Sequence, residues 1–227
     1  MEHPKRIWFV LPAYNEAAVI AETLRPIVAT GSNVVVVDDG SADDTRQLAH
    51  QCGTWICRHA VNLGQGAALQ TGIEFALSHG AKYLVTFDAD GQHLLSDAMA
   101  MVARLESGNV DIVLGSRFLG STRGMSTLRG AILRLATWFT RVRTGLDVTD
   151  THNGLRALTA KAAAAFCLRH NRVAHASEIL DQIASRGLRF EEHPCTILYT
   201  AYSKQKGQRS SGLIDVLFDL YIGGMRR

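Results

Sequence analysis

The chain has 227 residues and 24.8 kDa, with 47% hydrophobic and 20% charged residues, which provides for one substantial core and excludes global disorder. The net charge is only +3, yet residues 117–143 hold six arginines, no lysine and no acidic residue, so the positive field is regional. No run reaches membrane-span length, since the most apolar tract, "GLIDVLFDLYIGG" at 212–224, is interrupted by Asp215 and Asp219.

The N-terminal "MEHPKRIWFVLP" has no small-residue cleavage signal behind its short apolar run, so export is not expected. From there, "RIWFVLP" (6–12) and "NVVVVDD" (33–39) are short apolar runs ending in polar or turn residues, as buried parallel strands do. Between them Ala17, Ile20, Ala21, Leu24, Ile27 and Val28 recur at helical spacing, and Pro26 is expected to kink or shorten that helix. In "SADD", Ser41 is a candidate N-cap with Asp44 three residues on, a capping-box pattern. A strand at "TWICR" (54–58), a helix over 66–79 closed by Gly80 and a strand at "KYLVTF" (82–87) continue the alternation. Ser96 is a candidate cap for a helix running to Glu106, and "VDIVLG" (110–115) supplies another strand. The repetition predicts an α/β fold, a parallel-dominated sheet with helices on both faces, in one domain over 1–227.

The second half is less regular. Residues 123–143 read as a loop feeding a basic amphipathic helix, with Ile132, Leu135, Ala136, Trp138, Phe139 and Val142 opposite the arginines. "TAKAAAAFCLRH" and "SEILDQIASRG" read as helices, "FEEHPCTILYTAY" as a late strand and 207–212 as a polar loop. Cys52, Cys57, Cys167 and Cys195 form no CxxC pair, which suits reduced thiols in a cytosolic chain.

In such sheets ligands bind beyond the carboxyl ends of the strands, and Asp38, Asp39, Asp88 and Asp90 all stand at predicted strand ends. Asp88 and Asp90, one residue apart, raise each other's pKa unless a cation lies beside them. Mg²⁺ or Mn²⁺ is their natural partner, with Gln92 as a third oxygen donor and the remaining ligands from water and phosphate. The plain alternative is a turn in which Asp88 caps the next helix. "NLGQGAAL" holds Gly64-x-Gly66 before a helix, a near miss to the dinucleotide fingerprint, but its third position is Leu69 and it follows the third strand rather than the first.

"PAYNE" (12–16), "VDDGSADDT" (37–45), "NLGQGAA" (62–68), "DADGQH" (88–93) and "GSRF" (115–118) occur in this order and spacing. Together they resemble the family 2 glycosyltransferases of the GT-A fold, and most closely the branch of polyprenyl-phosphate mannose and glucose synthases. The resemblance covers roughly residues 6–206, leaving an amphipathic tail at about 211–227. It implies that Pro12, Tyr14 and Glu16 line a nucleoside pocket and that Asp39 bonds the base. Asp88, Asp90 and Gln92 would hold the divalent cation at the donor diphosphate, with Ala89 and Gly66 close by and Lys204 folding over the phosphates. Arg117 and Arg129 would grip an acceptor phosphate. Asp150, in "DVTDTHNGLRA", matches a family aspartate that serves as base or sugar-orienting carboxylate, and its plain role is to cap the turn before Gly154. Leu155 stands where the family usually has Phe. Near Leu198 this chain has apolar and aromatic residues where the mannose synthases have an arginine. Glu178 matches a recurrent family acid, with a structural hydrogen bond as its plainer role. His93, His152, His175 and His193 show no metal-ligand spacing and are expected behind the ligands or at the surface.

Three functions are compatible with these residues. One is inverting, metal-dependent transfer of a hexose from GDP-mannose or a UDP-hexose to a polyprenyl phosphate at the cytoplasmic membrane face. A phosphate is already ionised and needs no base. The second keeps the donor and uses a sugar hydroxyl of a surface glycan, which does need a base and makes Asp150 essential. The third, from another class, is a dinucleotide-binding oxidoreductase. No nucleic-acid partner is expected. A peripheral membrane contact is expected of the Arg-bearing helix or of the stretch 213–222 with Arg226 and Arg227, each of which could equally pack as core or dimer surface.

Overall fold

The computed structural model describes residues 6–168, 174–200 and Tyr202. In chain order they form β1 (Ile7–Ala13), α1 (Ile20–Ala29), β2 (Asn33–Asp38), α2 (Thr45–Gln51), β3 (Trp55–Arg58), α3 (Gln65–Ser78), β4 (Tyr83–Thr86), α4 (Leu95–Glu106), β5 (Ile112–Arg123), α5 (Thr127–Thr144), β6 (Arg156–Thr159), α6 (Ala160–Ala165), α7 (Ala174–Arg186) and β7 (Phe190–Leu198). One seven-stranded sheet runs β3-β2-β1-β4-β6-β5-β7. Every pairing is parallel except those of β6, which lies antiparallel between β4 and β5.

The unbroken apolar runs of β1 and β2 follow from burial on both faces. Phe9, Leu11, Val34 and Val36 pack under α1 and α4 with Ile20, Leu24 and Met101, while Trp8, Val10, Val35 and Val37 face α3 with Leu69 and Ile73. Helix α3 lies so close to the sheet that a Cβ at Gly72 would sit 2.4 Å from Val10 Cγ1, so a side chain there would force the layers apart.

Several local expectations are corrected. Ser41 does not cap α2: its hydroxyl accepts from Asn15 N, and the cap position belongs to Asp44. Ser96 lies inside α4, whose cap position is Leu94. Helix α1 starts at Ile20, after a turn in which Val19 and Ile20 N–H donate to Glu16 O, and it continues past Pro26 to Ala29. β5 continues to Arg123, eight residues past the predicted end, because β7 pairs along it with an irregularity between Ser116 and Ser121. β6 was not anticipated, for four residues beginning with an arginine show no strand periodicity.

Candidate active site

The carboxyl rim of β1 and β2 is built by two loops stitched together. Asn15, at φ 53° the one non-glycine with positive φ among the described residues, donates N–H to Ser41 Oγ at 3.0 Å and accepts from Ala42 N at 2.9 Å. Glu16 N donates to Thr45 Oγ1 (2.7 Å) and Ala17 N to Asp43 Oδ2 (3.1 Å). Burial works to raise the Asp43 pKa, but the hydrogen bonds from Thr45 and Ala17 outweigh it and keep the carboxyl below its ordinary value. Pro12 is half-buried near the end of β1, Tyr14 is 43% exposed, and Glu16 is buried with its carboxylate accepting from Tyr202 Oη at 2.8 Å. Burial and Glu16 together hold the Tyr202 phenol above its usual range, so it stays a donor.

Asp39 follows β2 and faces the protein. Its carboxylate accepts from His59 Nδ1 (2.7 Å), Leu63 N (2.9 Å) and Gly64 N (2.8 Å), which pins the loop leading into α3. Gly64 occupies the cap position of α3 at φ 96°, and Gly66 is buried in the first turn. Gln65 there extends its side-chain amide to Asp88 Oδ1 at 3.0 Å.

Asp88 and Asp90 leave the end of β4 in unlike surroundings. Asp88 also accepts from His93 Nε2 at 2.9 Å, and the chain at Gly154 lies against it so closely that a Cβ would be 2.1 Å from Asp88 Oδ2. Burial favours the protonated acid, but the His93 hydrogen bond and the charges of Arg156 and His175 outweigh it, so Asp88 ionises below its ordinary range. Asp90 accepts from Gln92 N (3.1 Å) and Gln92 Nε2 (2.6 Å), while burial and then the charge of Asp88 push its pKa to about 6. Such elevation marks crowded carboxylates, and a divalent cation would relieve it. Among the described residues no three His, Cys, Asp or Glu side chains cluster as metal ligands. Asp88, Asp90 and the Gln92 carbonyl therefore fit an ion that takes hard oxygen ligands and fills its shell from water and phosphate. Ala89, between them, is buried.

The β5 side carries the predicted acceptor residues. Arg117 is buried, donating from N (3.0 Å) and Nε (2.6 Å) to Asp150 Oδ2, from Nη1 to Tyr199 Oη (2.9 Å) and from Nη2 to His152 O (2.5 Å). The Asp150 side chain is 1% exposed and also accepts from His152 N, so ion pair and turn cap are combined in it. Arg129, half-buried in the first turn of α5, lies over the Tyr199 ring at 5.2 Å. The regional positive charge is partly answered: Arg141 pairs with Asp147 and Arg143 with Asp181, and Arg134 stacks on Phe118.

Of the apolar set read from the sequence, helix α5 buries Ala136 and half-buries Ile132 and Phe139. Gly130, Leu133, Ala136, Thr137 and Thr140 face the body, while Leu128, Leu135, Trp138 and Val142 form an exposed stripe, Trp138 at 61%. At 100° per residue these four fall on one side, with Arg134 and Arg141 along one flank.

His93 and His175 are buried beside Asp88 rather than at the surface. His93 Nδ1, both His152 ring nitrogens, Asn153 Nδ2 and Arg156 Nη1 are five of the seven buried side-chain atoms without a partner among the described residues, and of these residues His93 and Arg156 act on Asp88. Burial lowers His152 to about 4 and Arg156 to about 10. Arg156, Tyr199 and Tyr202 were missed from the sequence, since nothing in their spacing shows what the turn before β6 and the end of β7 bring to the rim. Glu178 lies half-buried on α7. Lys204, the loop 207–212 and the tail 211–227 lie outside the described residues. All four cysteines are free, and no helix of the described residues is long and apolar enough to cross a membrane.

Residues 8–162 match the sequence profile described as Glycosyl transferase family 2. An uncharacterized protein of Methanocaldococcus jannaschii is 36% identical over 219 residues, covering 94% of this chain and 90% of that protein. The UDP-N-acetylglucosamine–dolichyl-phosphate N-acetylglucosaminyltransferase of Methanococcus voltae is 30% identical over 226 residues, covering 89% and 90%. Glucosyl-3-phosphoglycerate synthase of Mycobacterium tuberculosis, solved with Mg²⁺ and uridine diphosphate, superposes with a TM-score of 0.71 at 18% identity over 95% of this chain and 78% of that one. The fold is GT-A, as the ordered motifs implied.

Proposed function

The chain belongs to glycosyl transferase family 2 and is a glycosyltransferase, and on that premise we propose that it moves a hexose from a nucleoside-diphosphate sugar to a polyprenyl phosphate at the cytoplasmic face of a membrane, with inversion. The observation that carries this reading is a rim with two chemistries, the Asp88–Asp90 pair beyond β4 and a group of Arg117 within β5, Arg129 in α5 and Tyr199 just after β7.

On the donor side Pro12, Tyr14 and Glu16 line the nucleoside pocket, and Asp39 shapes its floor through the loop it holds. Asp88, Asp90 and Gln92 would hold Mg²⁺ or Mn²⁺, which would supply positive charge against the departing diphosphate. Gln65 and His93 keep Asp88 oriented, and Gly66 lets the α3 amides approach the donor. The sugar-to-diphosphate bond breaks as an acceptor oxygen bonds to the anomeric carbon from the other side, so no covalent enzyme intermediate forms.

On the acceptor side Arg129 meets the lipid phosphate and Arg117 supports it from below, with Asp150 fixing the Arg117 guanidinium. A sugar-hydroxyl acceptor would require Asp150 as base, and a carboxylate paired at 2.6 Å with an arginine and closed to solvent is poorly suited to that work, which favours the phosphate. The exposed Leu128, Leu135, Trp138 and Val142 stripe with its flanking arginines supports contact between α5 and an anionic bilayer surface. Two relatives named for polyprenyl-phosphate chemistry, the M. voltae dolichyl-phosphate enzyme and a polyprenol monophosphomannose synthase of Mycolicibacterium smegmatis, support the acceptor class.

The test is a panel of UDP- and GDP-sugars with Mn²⁺ and a short-chain polyprenyl phosphate, following nucleoside diphosphate release and lipid-linked sugar together. Turnover that needs the lipid phosphate and stops with EDTA is expected. Turnover indifferent to the chelator would overturn the cation site, and turnover only with glycan hydroxyls would overturn the acceptor.

A further inference from the structure

Tyr199 follows directly on β7, 9% exposed, and is held by one backbone contact and three side-chain contacts. Its N–H donates to Arg123 O at 3.0 Å, joining it to the end of β5. Its hydroxyl accepts from Arg117 Nη1 at 2.9 Å and donates to Met125 Sδ at 3.7 Å, so both roles of the oxygen are in use. Its ring face lies 5.2 Å from the Arg129 guanidinium carbon. One neutral side chain thus touches both arginines, one through its lone pair and the other through its π face.

We propose that Tyr199 is a positioning residue that fixes the separation and orientation of Arg117 and Arg129 as a two-cation grip for the acceptor phosphate; this rests on the acceptor reading above. Two guanidinium groups repel, and something must hold them at one spacing. A carboxylate between them would also repel the incoming phosphate. A phenol holds both without adding negative charge, because its oxygen accepts and its ring quadrupole attracts. An aliphatic side chain would leave a buried Arg117 N–H without an acceptor and Arg129 without its platform. Asp150, on the far side of Arg117, supplies the one full counter-charge that a buried guanidinium needs.

The experiment compares Tyr199→Phe, which keeps the ring and removes the oxygen, with Tyr199→Leu, which removes both, in the full chain with Mn²⁺, the active nucleotide sugar and a short-chain polyprenyl phosphate. The KM for the lipid phosphate should rise about three- to tenfold in the Phe variant and further in the Leu variant. The KM for the nucleotide sugar and the affinity for nucleoside diphosphate with Mn²⁺ should stay within about twofold, a split that general loosening of the fold does not produce. An acceptor KM unchanged in both variants, with wild type active on lipid phosphate, overturns the role of Tyr199 and leaves the acceptor reading standing. An acceptor KM and a nucleotide KM that rise together also overturn it, since Tyr199 is then a fold residue. A wild type that ignores lipid phosphate overturns the acceptor reading and this inference with it.

Discussion

The two sides of the rim solve opposite electrostatic problems. Beyond β1, β2 and β4 the chain gathers carboxylates, and several are answered inside the protein: Asp38 by Arg58 and Ser41 N–H, Asp39 by His59 and two amides, Asp43 by Thr45 and Ala17 N–H, Asp88 by His93 and Gln65. Among the described residues Asp90 accepts hydrogen bonds from the Gln92 amides, and burial with Asp88 raises it to about 6. Beyond β5 and β7 the excess is cationic and is tamed by one buried carboxylate, Asp150, and by aromatic rings. Charge left over on the first side is negative and on the second positive. That division suits the donor and ionised acceptor proposed above.

The comparison breaks first at Asp90. Asp90→Ala should lower Mn²⁺-dependent nucleoside diphosphate release by at least about 10²-fold, while circular dichroism and melting stay near wild type. Arg117→Met attacks the other side. It strands Asp150 in the interior, and the melting curve should record a loss of about 3–5 kcal/mol. A third test sharpens the contrast through pH. Burial holds His152 near 4 in the fold against 6.5 ordinarily, and Arg117, Arg156 and His175 push the same way against Asp150. Between those values the unfolded chain binds the extra proton, so stability is complete above about 6.5 and falls as pH drops toward 4, by about 2–3 kcal/mol. His152→Gln should flatten that part of the melting profile. The smallest effect belongs to the outer face of α5: Trp138→Ser should leave stability within about 0.5 kcal/mol while weakening retention on anionic vesicles about fivefold. Retention equal to wild type would remove the stripe from the membrane reading.

The first half of the fold was legible because β1 and β2 are buried on both faces and their apolar runs end in turn residues after β1 and in acids after β2. The motifs at 12–16, 37–45, 62–68 and 88–93 fell on the rim for the same reason. The second half was opaque where tertiary pairing overrides local pattern. β5 extends through "GSTR" only because β7 lies beside it, and β6 starts on a buried arginine. The Arg117–Asp150 pair joins residues 33 apart, and its third member, Tyr199, is 82 from Arg117. No spacing rule connects those positions. Ser41 and Ser96 had good cap chemistry, but a loop partner claimed the first and helix register displaced the second.

The reversal of β6 has a bearing on how this scaffold can diversify. Because Arg156 pairs with Thr86 and Leu114, the loop entering β6 arrives at the working edge, whereas the chain leaving β6 at Thr159 turns away beside Tyr83 at the opposite edge. Insertions or exchanges in the loop ahead of Arg156 therefore fall at the working edge, and those in the turn at Thr159 and Ala160 fall at the opposite one.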